Sequence, residues 1–252
     1  MVLTTRAYGR IAVFAGLLVL AVCEAGQAQV QLDLETGIVF CTRNDVRIPG
    51  TTGTEFSLVD DLSSDNEPFF RGRVSYTAGR KHVFSILVAP LTIHASGSVA
   101  EPLAFNGTTF PARTPLEAEY RFDSYRFTYR YTFRSDERFV VGLGLTGKIR
   151  DASIKLEDPD VVSEKKNTGF VPLINFEFRW SFAPAFWLLF EGDALAAPQG
   201  RAEDVLLAVQ YFPSTRWGLK AGYRLLEGGA DNDEVYSFAF LNYFVLGLYA
   251  NF

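Results

Sequence analysis

The chain has only two histidines, and one of them lies close to a serine and a carboxylate. His94 and Ser96 occur in the segment IHASGS, and Glu101 follows shortly afterwards. A serine hydroxyl becomes a nucleophile when a nearby histidine accepts its proton and a carboxylate orients that histidine. These residue types could support ester hydrolysis. A strand that runs into a polar loop would show the same alternation, so the short motif remains a hypothesis.

Charged side chains form the second group of residues that could carry a function, because they recur at alternate positions within aromatic segments. In SYRFTYRYTFR, Arg126 and Arg130 share one parity, and the aromatic residues share the other. The segment FVPLINFEFRWSF repeats this design, with Glu177 and Arg179 between apolar residues. A period of two indicates β-strands that have one apolar and one polar face.

The length and chemistry of these strands indicate a membrane rather than water. Several runs exceed the roughly 5 to 6 residues of ordinary strands and reach the 9 to 11 or so that cross a bilayer obliquely. The apolar faces are aromatic, whereas the opposite faces carry full charges in mid-strand, as in a barrel with lipid outside and a polar lumen. Only a closed sheet satisfies its backbone in lipid. The sequence therefore predicts an all-β, closed antiparallel transmembrane barrel rather than a soluble sandwich.

The alternation predicts about ten strands, with eight or twelve as alternatives. Their approximate ranges are 30–43, 68–78, 82–94, 116–134, 137–150, 168–182, 185–196, 202–212, 216–227 and 235–252. Short turns alternate with longer polar segments at 44–67, 95–115 and 151–167. Because outer-membrane barrels have short periplasmic turns and longer extracellular loops, an even strand number places both ends in the periplasm.

The N-terminal segment has the layout of a secretory signal peptide. Arg6 and Arg10 precede the apolar run IAVFAGLLVLAV, and small residues lead to a predicted cleavage site after Ala28. The run is shorter than the roughly 20 apolar residues of a transmembrane helix. The predicted organisation is a signal peptide at 1–28 and a barrel domain at 29–252.

Charge and cysteine content exclude several classes of function. Cleavage would remove Arg6, Arg10 and Glu24, a net loss of one positive charge, and change the formal net charge from −5 to −6. A mildly acidic chain argues against nucleic acid as a partner. Cleavage would also leave Cys41 as the only cysteine, which excludes an internal disulfide and a cysteine-based metal cluster. We predict no cofactor and no metal site.

The final segment, NYFVLGLYANF, places Phe244, Leu246, Leu248 and Phe252 on one parity. This pattern resembles the C-terminal assembly signal of bacterial outer-membrane β-barrel proteins. The resemblance implies a location in the bacterial outer membrane and recognition by the barrel assembly machinery. It also implies contact with outer-membrane lipid and lipopolysaccharide.

If the aromatic parity faces lipid, the opposite parity fills the lumen with charge. The predicted lumen set is Asp33, Glu35, Arg71, Arg73, Arg126, Arg130, Lys148, Glu177, Arg179, Glu191, Asp193, Lys220 and Arg224. A narrow barrel has little interior width, so charges of both signs should pair. This favours a salt-bridged plug and a structural or interaction role. The alternative is a narrow pore for small solutes or anions, with a basic stripe along Arg126, Arg130 and Arg179.

A second alternative is an esterase. His94 and Ser96 resemble the His-x-Ser pair of outer-membrane lipid A deacylases, which implies Ser96 as the nucleophile and Glu101 as the orienting carboxylate. Gly97 stands where those enzymes have asparagine, and the pair lies early in this chain but late in theirs. We therefore predict that the protein is not an enzyme.

Overall fold

Ten strand positions close into an antiparallel barrel in the computed structural model, which describes residues 29–197 and 200–252. The predicted signal peptide at 1–28 lies outside the described residues. The strands are β1 (Gln29–Arg47), β2 (Phe56–Ser57), β3 (Leu62–Ser64), β4 (Glu67–Ala78), β5 (His82–Ala89), β6 (Thr92–Gly97), β7 (Leu103–Phe105), β8 (Thr108–Phe110), β9 (Leu116–Ser135), β10 (Phe139–Glu157), β11 (Val162–Ala183), β12 (Phe186–Ala197), β13 (Gly200–Tyr211), β14 (Trp217–Asp231) and β15 (Tyr236–Asn251). Among the described residues, no helix is long and apolar enough to cross a membrane.

The barrel closes because its first and last strands pair along most of their length. The order around the barrel is β1, β4, β5 with β6, β9, β10, β11, β12, β13, β14 and β15. The β15 strand then pairs with β1, from Gln31 opposite Asn251 to Arg47 opposite Tyr236. Closure leaves no unpaired edge along this seam. The predicted closed antiparallel barrel of about ten strands is therefore confirmed.

The strands β5 and β6 share one position beside β9. Pro90 and Leu91 separate them. Because proline has no amide hydrogen, Pro90 cannot donate a bond to the ladder. The break also changes the strand that pairs on the side away from β9. Strand β5 pairs there with β4, whereas β6 pairs there with β3.

An apolar band surrounds the barrel and ends partway along the longest strands. On β9, the outward residues from Tyr125 to Phe133 are aromatic, whereas those from Glu117 to Asp123 are charged. On β10, the change falls between Ile149, which is exposed, and Asp151. An exposed apolar band is what a lipid-facing surface requires. The strands β9, β10 and β11 therefore continue beyond the band at the loop end.

Two segments at the loop end, 48–66 and 98–115, fold together into a cap. Strand β2 pairs with β1, β3 pairs with β6, and β7 and β8 form a separate hairpin. The backbone amide of Asn106 donates to the backbone carbonyl of Ile48 at 2.8 Å, and this hydrogen bond joins the two segments. Phe56, Phe105 and Phe110 are buried in the cap. They belong to a hydrophobic cluster that includes inward residues of β6, β9 and β10.

The prediction of a third long loop at 151–167 is wrong. Strands β10 and β11 pair without interruption up to Glu157 opposite Val162. Only a short turn joins them, and the Asp158 carboxylate accepts bonds from the amides of Asp160 and Val161. The charged outward side chains of this stretch suggest a loop. They face water beyond the apolar band, while Ile154 and Leu156 point inward and are buried.

Close contact between β9 and β10 depends on a glycine in the lumen. A Cβ atom at Gly144 would overlap the carbonyl oxygen of Tyr129 and lie 2.7 Å from the Cα of Arg130. A Cβ atom at Gly228 would lie 3.4 Å from the nearest atom, the carbonyl oxygen of Arg201. The two glycines therefore differ in the space around them, although both lie on barrel strands.

We expect Gly144→Ala to lower the free energy of unfolding by about 1 to 3 kcal/mol, because it forces a methyl group into filled space. Gly228→Ala is the matched control and should change stability by less than about 0.5 kcal/mol, as for substitutions that disturb no packing. Guanidinium unfolding of both variants refolded in detergent would measure the difference. Equal losses would contradict this account of the β9–β10 contact.

Candidate functional site

Ten charged side chains fill the lumen inside the apolar band, and we call this set the lumen plug. Its members are the acidic residues Asp33, Glu35, Glu191, Asp193 and Asp204 and the basic residues Arg71, Arg73, Arg126, Lys220 and Arg224. Apart from Arg73, these side chains are at most 6% exposed. Five negative and five positive formal charges leave the plug neutral.

The alternating sequence positions these charges. Asp33 and Glu35 are two residues apart on β1, so both point inward at successive levels. Arg73 and Arg71 lie opposite them on β4, in direct register. Opposite charges on the paired strands β1 and β4 therefore lie side by side, independently of any contact across the barrel.

Asp204 on β13 is contacted by three arginines from three other strands. Its Oδ2 atom accepts hydrogen bonds from Nη2 of Arg71 at 3.0 Å and from Nη2 of Arg126 at 2.6 Å. Its Oδ1 atom accepts from Nη1 of Arg224 at 2.5 Å. Arg126 also reaches Oδ2 of Asp193 at 2.7 Å. Hydrogen bonds between ionised groups are stronger than neutral ones, so this carboxylate joins β4, β9, β13 and β14.

The remaining pairs connect other strands across the same space. Lys220 on β14 lies 2.7 Å from Oδ1 of Asp33 and 2.6 Å from Oε1 of Glu35. Arg73 on β4 lies 2.9 Å from Oε2 of Glu191 on β12. Since β4 and β12 are five positions apart in a barrel of ten, this pair spans the full width of the lumen.

One acidic group within the plug has the composition of a cation site. Carboxylate oxygens of Asp33, Glu35 and Glu191 lie within 4.8 Å of one another. Each carboxylate also contacts a basic side chain, Lys220 for Asp33 and Glu35 and Arg73 for Glu191. The positive charge that a metal would supply is already present, so these carboxylates belong to the plug.

A smaller charge cluster lies nearer the short turns. Arg130 and Arg179 both pair with Glu177, and Nη1 of Arg130 donates to Oδ1 of Asn175 at 3.3 Å. Arg179 is 29% exposed, so water reaches this cluster. The three arginines of the predicted basic stripe, Arg126 with these two, each contact a carboxylate.

Lys148 differs from the other charges predicted to lie in the lumen. Its side chain is buried, yet no hydrogen bond or ion pair involves it within residues 29–197 and 200–252. The Nζ atom lies 4.5 Å from the ring centroid of Phe122. Both residues line a cavity of about 430 Å³ between the plug and the cap.

Most of the cavity wall is apolar. Tyr120, Ile154 and Leu195 contribute side chains from the barrel, and Ile48 contributes one from the cap. Burial raises the pKa of the Tyr120 hydroxyl, so this residue stays neutral. Arg150, two residues after Lys148, lies on the same wall. Its Nη2 atom donates a hydrogen bond to Oδ1 of Asn167.

The cavity adjoins a gap in strand pairing. Strand β11 pairs with β12 only between Ile174 and Ala183, although β11 begins at Val162. Pro172 lies just beyond the last pair and has no amide hydrogen to donate. Residues on both sides of the gap line the cavity, including Phe170 and Leu195.

The predicted catalytic residues do not form a nucleophile and base pair. Nδ1 of His94 lies 2.7 Å from Oε1 of Glu67, so the carboxylate beside this histidine is Glu67 rather than the predicted Glu101. Glu101 lies in the cap, where it is exposed. Among the described residues, no hydrogen bond joins Ser96 to His94, which is 55% exposed at its side chain.

The residues of the predicted assembly signal lie on the outer surface. Phe244, Leu246, Leu248 and Phe252 are all exposed. The amide of Phe252 donates to the carbonyl of Val30 at 2.8 Å, so the backbone here also contributes to barrel closure. Their recognition by the assembly machinery stays a prediction.

Sequence reasoning missed Asp204, the carboxylate with the most arginine contacts among the described residues. The segment DVLLAVQY is apolar on both parities, because Leu206 and Ala208 fill the lumen while Leu207 and Val209 face outward. A signal was present in the shared parity of Asp204 and Gln210, the two polar residues of this segment.

No known protein family matches the sequence, and no curated protein matches it. Among solved structures, the outer-membrane protease OmpT of Escherichia coli is similar, with a TM-score of 0.58 and 7% identity over 89% of this chain and 97% of that chain. The attachment invasion locus protein Ail of Yersinia pestis has a TM-score of 0.40 and 11% identity over 88% of this chain and 99% of its own. The chain has the fold of bacterial outer-membrane β-barrel proteins, as predicted.

We expect Lys220→Met to lower the free energy of unfolding by about 3 to 5 kcal/mol, because it leaves the buried Asp33 without its cation. Arg134→Met removes one partner of an exposed pair with Asp136 and should cost less than about 1 kcal/mol. Denaturant unfolding in detergent would measure both. The double variant Lys220→Met with Asp33→Leu should recover much of the loss. A Lys220→Met cost as small as that of Arg134→Met would mean that water fills the lumen.

Proposed function

We propose that the protein is a closed outer-membrane barrel with a structural or interaction role. The observation that carries this proposal is the ion pairing across the lumen, above all Arg73 with Glu191 and Arg71 with Asp204. These pairs join strands that lie five and four positions apart in the ring of ten, at the level of the apolar band. A solute would have to separate them to pass.

The energetics of the plug support a closed state. Separating a buried pair leaves charges without partners, which is strongly unfavourable. The plug is also neutral, so it lacks the excess of one charge sign that charged rings give to selective pores. Above and below the plug charges, large side chains such as Leu241 and Tyr249 are buried in the barrel interior.

The cap supports the interaction role. Its two segments hold each other through the bonds of Thr54 to Ala104 and Asn106 to Ile48, both at 2.8 Å between backbone atoms. A surface that is ordered before binding loses less conformational entropy when a partner binds. The cap and the protruding ends of β9, β10 and β11 would therefore present a preformed surface outside the membrane.

A hydrolytic function is less well supported. The exposed His94 contacts Glu67 and makes no hydrogen bond to Ser96 among the described residues. A serine hydrolase requires the base to be within reach of the hydroxyl.

We expect the wild-type barrel to give no stable ion-conducting steps in planar lipid bilayers at neutral pH. The double variant Arg73→Ala with Glu191→Ala removes a pair that spans the lumen without leaving either charge alone, so it should conduct. The exposed pair Arg134→Ala with Asp136→Ala is the control and should remain silent. Heat-modifiable gel migration would check that each protein is folded. Stable steps in the wild type would overturn the closed state in favour of a narrow pore.

A further inference from the structure

We propose that the cavity between the plug and the cap binds a small molecule that carries one anionic group on an apolar body, with Lys148 as the anchoring cation. This inference goes beyond the closed barrel, because a binding site at the loop end does not depend on whether the lumen conducts. It depends on the charge balance, the cavity wall and the access route.

The charge balance leaves Lys148 in excess. The five acidic and five basic groups of the plug neutralise one another, and Lys148 on β10 is a further basic group directly opposite Arg126 of the plug. Only 4% of its surface is exposed, and no carboxylate pairs with it in the described ranges 29–197 and 200–252. Buried charges are normally paired. The contact with the Phe122 ring compensates only partly, so an anion would complete this site.

The cavity wall defines the rest of the ligand. A volume of about 430 Å³ lies within the usual range of small-molecule sites, roughly 300 to 1,000 Å³. The wall above Lys148 is mainly apolar, with Tyr120, Ile154 and Leu195 facing the space. Arg150 adds a second cation near the anchor. The geometry therefore suits an anion held at Lys148 and an apolar body that extends toward Ile48 of the cap.

The access route passes between β11 and β12. Above the Ile174–Ala194 pair these strands are not joined, and both sides of the gap line the cavity. Phe170 lies at the gap and is 70% exposed on the lipid-facing parity of β11. The gap thus lies where the apolar band meets the protruding strands. A fatty acid could enter from the outer leaflet, and an aromatic carboxylate could enter from water.

Equilibrium dialysis with the protein in zwitterionic lipid nanodiscs would test the site. The probes are radiolabelled decanoate and benzoate with their neutral analogues, decanol and benzyl alcohol, and empty nanodiscs provide the background. We expect at least one anion to bind the wild type at least ten-fold more tightly than its neutral analogue. Decanoate alone would indicate a chain-like body from the bilayer, and benzoate alone an aromatic body from water.

Lys148→Met should reduce the preference for the anion, since Arg150 then remains as a cation in the wall, and should leave binding of the neutral analogue unchanged. Lys155→Met is the matched control, because Lys155 lies on the same strand outside the cavity and pairs with Glu157. Leu195→Trp should weaken binding of anion and neutral analogue alike by filling the cavity. It also tests the site if Lys148→Met fails the heat-modifiability check for folding.

Three results would overturn the proposal. They are equal affinity of the wild type for anion and neutral analogue, unchanged anion affinity in folded Lys148→Met or Leu195→Trp, and no binding of either anion. None of them bears on conductance, so this inference and the closed state fail separately.

Discussion

Neutralisation of ten charges inside a narrow barrel is the constraint on which the rest of the structure depends. Charged groups that leave water must find partners at close range, and the lumen plug supplies them between strands that are far apart in sequence. Asp204 and Arg71, which are 133 residues apart, meet because the sheet closes. The same contacts hold opposite walls of the barrel together. Closure and charge pairing therefore depend on each other.

The barrel has two interiors, one within the apolar band and one beyond it, and they differ in the polarity of their side chains. Within the apolar band, the outside is apolar and the inside is charged, since the surrounding solvent is lipid. Beyond the band, charged residues such as Glu119 face water, and apolar side chains such as Leu156 and Phe105 fill the inside. Lys148 and Phe122 lie where these interiors meet. A cation from one and an aromatic ring from the other face the same cavity, which explains why a polar anchor and an apolar wall occur together there.

The similarity to OmpT concerns the fold alone, because identity is only 7%. Barrels of one architecture support unrelated functions, and the function depends on side chains at particular places. In this chain, those places are the plug, which explains a closed lumen, and the cavity above it. The exposed His94 and Ser96 lie apart from both and show no hydrogen bond to each other among the described residues. The interior charges therefore contain more functional information than the short catalytic motif.

The sequence by itself determined that about ten strands close into a barrel and which of their faces meet lipid, because alternation is a property of neighbours along the chain. The alternation in segments such as SYRFTYRYTFR indicates which side chains face lipid. A sheet in lipid must close, because its backbone groups find no hydrogen-bond partners in the lipid. The tertiary structure decided which charges meet. Strand tilt, register and side-chain reach brought three arginines to Asp204, placed Glu67 rather than Glu101 beside His94, and left Lys148 without a carboxylate in the described part of the chain. Contacts across a barrel join residues from distant strands, so no local pattern specifies them.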